Sequence, residues 1–296
     1  PIGTSRQIAE TVSNNLENMG GRLYVNASVD EILTSNGKTR GVRLKGGEEI
    51  YAPLVISSAG VINTYGKFLR NSPNYDAYSK QLQTISQTPS YVCLYMGLKI
   101  SPEKLQKKNT NLWIYPGYNH DKNVENYLKD RNNEFPVVYV SFPSAKDPAY
   151  MKENPGHSTM EAITVLPFED FEKWKDEPWK KRGADYEEQK EKISQRILNE
   201  VYKHVPASKQ ALDYYELSTP LSVKSLANYN NGELYGINHT PKRFHQRWLR
   251  PQTAINNLYL TGQDVLTVGV TSALFSGLLT ASAILKKNLM NELIKN

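Results

Sequence analysis

Residues 258–271 read LYLTGQDVLTVGVT, and the side chains here that could do chemistry are few and closely spaced. Asp264 follows an apolar run that predicts a short buried strand. A carboxylate just beyond a strand end can accept a hydrogen bond from a ligand hydroxyl, or it can cap the helix that follows. Gly269, Val270 and Thr271 open an uncharged segment that reads as a helix. Backbone N–H groups at such a start attract anionic or electron-rich ligand atoms, although close helix packing would explain the same small residues. Upstream, GELYGINH brings Tyr235 and His239 ahead of the strand. Either could donate a proton to a substrate, and each also reads as a structural or pocket-lining side chain. The remaining histidines have no metal-ligand spacing, so no metal site is expected. The single cysteine, Cys93, lies in the apolar run YVCLYMGL and reads as a buried structural thiol.

The elements that must position these residues follow from periodicity and punctuation. Thr4 and Gln7 have capping-box spacing, and Ile8, Val12, Leu16 and Met19 then share one helical face before Gly20-Gly21. Three strands are expected in LYVNASVDEIL, RGVRL and EIYAPLVISSAG, with hairpin signals at Asn36-Gly37 and Gly46-Gly47. The third strand runs into Ser58, Ala59 and Gly60, small residues that let backbone approach a ligand. From about residue 65 to 214, strand-like runs alternate with polar loops and are rich in Tyr and Trp. A mainly antiparallel sheet is expected there, followed by a helix from about Asp185 to His204 that Pro206 closes.

Val265 to Leu285 carries no charge and is about long enough to cross a bilayer. Eight of these twenty-one residues are Gly, Ser or Thr, however, whereas a membrane span is richer in Leu, Ile, Val and Phe. Gly269, Ala273, Gly277 and Ala281 form a small-residue stripe against which another backbone or a flat ligand could pack. A buried helix is the favoured reading and a span the alternative. The chain as a whole, 296 residues with 39% hydrophobic and 22% charged, reads as a soluble protein of one large or two medium domains. Its net charge of +6 is spread along the sequence. No arginine-rich tract or zinc-finger spacing accompanies it, which argues against nucleic acid and suits a cytoplasmic or peripheral membrane protein.

LYLTGQDVLTVGVTSALFSG resembles the C-terminal flavin motif of FAD-dependent oxidoreductases of the phytoene desaturase, carotenoid isomerase and retinol saturase group. The N-terminal run through GGRLYVNASVDEIL, GVRL and EIYAPLVISSAG is similar to the segment that follows that group's first domain. FPSAKDPAY, PGHSTMEAIT and STPLSVKSLANYNNGELYG resemble the retinol saturase branch in particular, so the likeness runs in order along nearly the whole chain. It implies an α/β fold with α+β character: a FAD/NAD(P)-binding-type domain with an inserted, mainly antiparallel substrate domain. The expected divisions are 1–65 and 215–296 for the FAD-binding domain and 66–214 for the substrate domain.

Nothing here matches the group's opening Gly-x-Gly-x-x-Gly unit, so the chain is expected to be a C-terminal part that is inactive alone. The resemblance implies FAD as cofactor, with NAD(P)H as one compatible electron donor. It places Asp264, with Gly262, near the ribityl or pyrophosphate part, and Gly269, Val270 and Thr271 under the isoalloxazine. It also places Val29 at the adenine through its backbone, and Ser58, Ala59 and Gly60 near the cofactor. Gly3 falls in the group's Gly-Gly turn, with Thr4 replacing the second glycine. The substrate implied is an apolar polyene or isoprenoid lipid, reached by hydride transfer at flavin N5. An amine-oxidase-like flavoenzyme and a non-catalytic lipid-binding module are the alternatives.

Overall fold

The structure, a computed structural model, describes residues 2–105 and 110–295. In chain order the strands are β1 (Val29–Ser35), β2 (Lys38–Leu44), β3 (Glu49–Tyr51), β4 (Val55–Ser57), β5 (Tyr91–Leu98), β6 (Leu112–Ile114), β7 (Val138–Ser141), β8 (Ser158–Val165), β9 (Leu212–Ser218) and β10 (Leu258–Leu260). Two compact units form. One comprises Tyr24–Thr88 with Tyr235 onward, the other Pro89–Leu234 with the residues before Tyr24. The chain passes between the units at 23/24, 88/89 and 234/235. The first expected division lies inside the helical segment Ile62–Phe68 and the second inside β9.

In the first unit, β1, β2 and β3 form an antiparallel sheet. Asn36 and Gly37 both have positive φ (52° and 70°), as a two-residue hairpin turn matched to strand twist requires. The expected single strand over EIYAPLVISSAG is two strands in two sheets. β3 closes the antiparallel sheet, whereas β4 runs parallel to β10, with Val55 opposite Leu258 and Ser57 opposite Leu260. Pro53 separates them, and its fixed φ and missing N–H interrupt a continuous ladder. Behind the parallel pair, Tyr65 stacks on Tyr78 with ring centroids 4.3 Å apart, in a core shared with Val61, Leu249, Leu258 and Leu260.

The helix Val270–Leu285 packs on this unit through its hydroxyls. The Thr280 hydroxyl donates to the Leu260 carbonyl (2.8 Å), and the Ser276 hydroxyl accepts from the Gly262 amide (2.7 Å). Ser276 and Thr280 are buried, while Leu274 is 62% exposed. The expected burial therefore holds for one side only. Among the described residues, no helix is long and apolar enough to cross a membrane.

In the second unit, five strands form an antiparallel sheet in the order β6-β7-β8-β5-β9. Side chains alternate between faces along a strand. Leu94, Met96, Val140, Met160 and Ala162 lie on a buried face, and Ile193, Ile197 and Val201 of the helix Ala184–His204 belong to the same core. Strand β9 was not among the expected strands. The helix Arg6–Asn18 forms, but without the expected capping box: Thr4 has φ 69°, outside the extended region a capping residue adopts. Its apolar face is open, with no residue of the helix buried. Asp147, expected in a simple polar turn, is buried, caps Pro148–Glu153 by accepting from the Ala149 amide (3.0 Å), and accepts from the Gly3 amide.

Leu94 has no exposed surface in the core of the second unit. Leu94→Ala is expected to cost about 2–5 kcal/mol of stability through lost burial and a residual cavity. Denaturant unfolding checks this, and a loss below about 1 kcal/mol would contradict the packing described.

Candidate functional site

In open α/β sheets, ligands bind beyond the carboxyl ends of the parallel strands. β4 and β10 end side by side at Ser57 and Leu260, and the chain leaves each through a glycine of positive φ, Gly60 (81°) and Gly262 (95°). Asp264 sits between these exits with 4% of its surface exposed. Its Oδ2 accepts the Val61 amide at 2.8 Å and so ties the loop after β10 to the helical segment after β4. A Cβ on Gly60 would approach Oδ2 to 3.2 Å, and one on Gly236 would approach Oδ1 to 2.9 Å. Both glycines thus let the carboxylate be enclosed. Burial raises the Asp264 pKa above the ordinary carboxylate value; the Val61 and Ile237 amides and the charges of Arg243 and His239 oppose that rise.

The loop from Gly262 to Gly269 is held from beneath. Arg243, 3% exposed, donates through Nη2 to the carbonyls of Gln263 (2.9 Å) and Asp264 (2.8 Å) and through Nη1 to that of Leu266 (2.9 Å). His239 Nε2 accepts the Val268 amide at 2.9 Å. Thr267 and Ser272 join by their hydroxyls at 2.6 Å across the start of the last helix. That start is Gly269, with φ 105°, no side-chain cap and nothing within 4 Å of where a Cβ would stand. The first amides of a helix have no intrahelical acceptor. Val270 and Thr271, both exposed, therefore open an uncapped positive end beside an unfilled space.

The structure thus brings together Gly60, Gly262 and Asp264 and, through the loop, Gly269, Val270, Thr271 and His239. Ser58 and Ala59 are exposed just beyond β4. Val29 lies at the start of β1 in the separate antiparallel sheet. Tyr235 is exposed, and its amide donates to Thr88 Oγ1 at 3.0 Å. Arg243 was not among the expected site residues, yet its turn is marked in HTPKRF. Thr240 caps that turn by accepting the Arg243 amide (3.3 Å), and Pro241 begins it. Among the described residues, no group of His, Cys, Asp or Glu side chains could hold a metal ion.

The sequence is 36% identical to all-trans-retinol 13,14-reductase of Danio rerio, over 98% of this chain and 50% of that protein. It is 28% identical to prolycopene isomerase 2 of an Oncidium hybrid cultivar, over 95% of this chain and 45% of that protein. The chain therefore spans about half the length of the curated relatives it matches. No family model matches it. Among solved structures, an oxidoreductase from Methanosarcina mazei superposes with a TM-score of 0.60 at 16% identity, covering 97% of this chain and 55% of that one. That likeness establishes the fold: the chain has the mixed α/β architecture of these oxidoreductases, over about half their length.

His239 gives the site a pH dependence. Burial lowers its pKa below the ordinary 6.5, the Arg243 charge adds to this, and Asp264 opposes it. Its neutral form is therefore favoured by folding. The stability it contributes is complete above about pH 6.5 and is lost as pH falls through the lower folded value. Protonated Nε2 would also face the Val268 N–H as donor against donor. Amide exchange of residues 265–269, corrected for its intrinsic pH dependence, is expected to accelerate as pH falls from about 6.5 to about 5. His239→Gln should flatten that profile; a flat profile in the unaltered protein would refute the assignment.

Proposed function

We propose that this chain, a relative of the C-terminal part of the retinol reductase and carotenoid isomerase group, forms part of the FAD site of an oxidoreductase acting on a polyene or isoprenoid lipid. One observation carries the reading: an uncapped helix start of small residues, held beside the carboxyl ends of two parallel strands by buried Asp264 and Arg243. The residues present fit the cofactor. The space at Gly269 leaves room for a flat ring, and the amides of Val270 and Thr271 suit its electron-rich edge, which gains negative charge on reduction. Gly60 and Gly262 keep the strand exits narrow, and Ser58 and Ala59 offer exposed backbone beside them.

Bound FAD supplies hydride transfer at N5 of its ring, and the protein supplies position, a proton and a dry pocket. Asp264, sealed and joined to the Val61 amide, acts on the cofactor by fixing the two chain exits. His239 already accepts a backbone hydrogen bond, so its part is to hold the loop. Tyr235, whose side chain is exposed, is the remaining candidate to deliver a proton to substrate. NAD(P)H is the proposed source of reducing equivalents, and the surface of a membrane the proposed source of the apolar substrate.

The protein purified from its complete reading frame and freed of unbound FAD is expected to show flavin bands near roughly 370 and 450 nm. Gly269→Val places a side chain in the open space at a φ that L residues rarely adopt, and is expected to weaken FAD binding at least about tenfold. Its circular dichroism should stay unchanged. A protein that takes up no FAD would overturn the reading, and a Gly269→Val protein that binds FAD normally would move the cofactor elsewhere.

A further inference from the structure

In the second unit, a cleft of about 580 Å³ is lined by the loop that leads into the helix Ala184–His204, by β9, and by the short helix Pro220–Ala227 that follows it. That volume lies within the range of small-molecule sites, roughly 300–1,000 Å³. Four rings stand in its walls, those of Tyr95, Trp179, Tyr186 and Tyr214. Tyr95, Trp179 and Tyr214 are exposed, so aromatic surface is left for a ligand ring to pack against.

The charges around this cleft do not balance. Three cations line it, Lys180, Arg182 and Lys190, against two carboxylates, Glu187 and Glu216. Lys190 takes both carboxylates: its Nζ lies 2.6 Å from Glu216 Oε1 and 3.4 Å from Glu187 Oε2. Among the described residues, neither Lys180 nor Arg182 forms an ion pair. Arg182 is the more telling of the two, because only 6% of it is exposed. Its hydrogen bonds all go to neutral oxygens: the Leu221 carbonyl (3.3 Å), Ser225 Oγ (2.9 Å) and, at 3.5 Å, the Tyr186 hydroxyl. Its Nε–H is buried with no acceptor. The rings of Trp179 and Tyr186 lie 5.4 and 5.2 Å from Cζ, which tempers the cost of a buried cation without neutralising it. Lys180 is exposed and has φ 62°, in the left-handed region that lysine rarely adopts. The loop thus bends sharply where it offers a second cation free of any acid.

We propose that this cleft binds an aromatic carboxylate, its ring against the aromatic walls and its carboxylate held by Lys180 beside the buried charge of Arg182. The excess of one positive charge decides the class. A carboxylate brings one negative charge and balances the lining. A phosphate dianion would overshoot it next to Glu187 and Glu216, and a neutral ring compound would leave the guanidinium as it is. All the residues that line the cleft belong to the second unit, and the proposal does not rest on the flavin reading.

The test titrates the protein purified from its complete reading frame, by calorimetry at neutral pH, with naphthalene carboxylate and with the matching neutral carboxamide. The unaltered protein is expected to bind the carboxylate about tenfold more tightly, the effect of one hydrogen bond to a charged group. Added salt should shrink that ratio. Arg182 is buried among structural bonds, so the exposed Lys180 carries the mutational test. Lys180→Glu should abolish the preference and leave the circular dichroism unchanged. Tyr214→Ala, which removes a ring and no charge, should weaken both ligands and leave their ratio as it was. Equal affinities in the unaltered protein, a preference that survives Lys180→Glu, or no binding of either ligand would overturn the proposal. Flavin content is recorded on the same samples. Displacement of flavin by the carboxylate would assign the binding to the flavin site and overturn the proposal too, whereas a Lys180-dependent preference in a protein that takes up no flavin would sink the FAD reading alone.

Discussion

A guanidinium withdrawn from water must be met by acceptors, and Arg243 meets its acceptors on the main chain between β10 and the last helix. Three carbonyls from three residues converge on one planar group, which fixes the path of a loop that has little regular structure of its own. The neighbouring carboxylate of Asp264 faces the opposite way, to the Val61 amide, so the same few residues bind the exits of both parallel strands. Without this pair of buried charges, the positive φ of Gly262 and of Gly269 would rest on the Gly262–Ser276, Val268–His239 and Thr267–Ser272 bonds. The open helix start depends on the loop, and the proposed cofactor site depends on the helix start.

The uncharged run after this loop then has a physical explanation. Its helix faces the strands with Ser276 and Thr280, whose hydroxyls bond main-chain groups near β10. A charged residue on that side would be buried without a partner, and a large apolar one would push the helix away from the strand. Small hydroxyl residues satisfy both demands, and the helix that carries them is 16 residues long, too short to cross a bilayer. Leu274 on the opposite side remains exposed, so hydrophobic burial against the described strands is not what keeps the run free of charge.

Sequence pattern disclosed the parts of the fold whose signals are local. Asn36-Gly37 turned the chain because both positions tolerate positive φ, and the long helix beginning at Ala184 was legible from its length and from Pro206 beyond it. The glycine and aspartate after β10 were legible because strand, turn and helix start are contiguous there. What pattern could not disclose was pairing between distant segments. EIYAPLVISSAG reads as one apolar run, yet its two ends serve different sheets, since the partner of β4 lies some two hundred residues away. Strand β9 escaped notice because its alternation is weak: its three Tyr and Glu side chains lie at one edge of the sheet, Tyr214 and Glu216 on one face and Tyr215 on the face of the helix-covered core.

Buried polar residues show the same divide more sharply. Arg243 is one basic residue beside Lys242 in a short polar turn, and nothing adjacent to it says that its guanidinium is enclosed while Lys242 is exposed. His239 looked like a proton donor because histidines near a cofactor strand can be one, but acceptance of the Val268 amide commits its Nε2 to the loop. Glu161 sits in a strand whose alternate residues, Ser158, Met160, Ala162 and Thr164, are all buried, so alternation alone assigns it to the solvent side. Only the cross-strand register, which sets it opposite Tyr95 and Ser141, shows that this side is a partly enclosed aromatic surface.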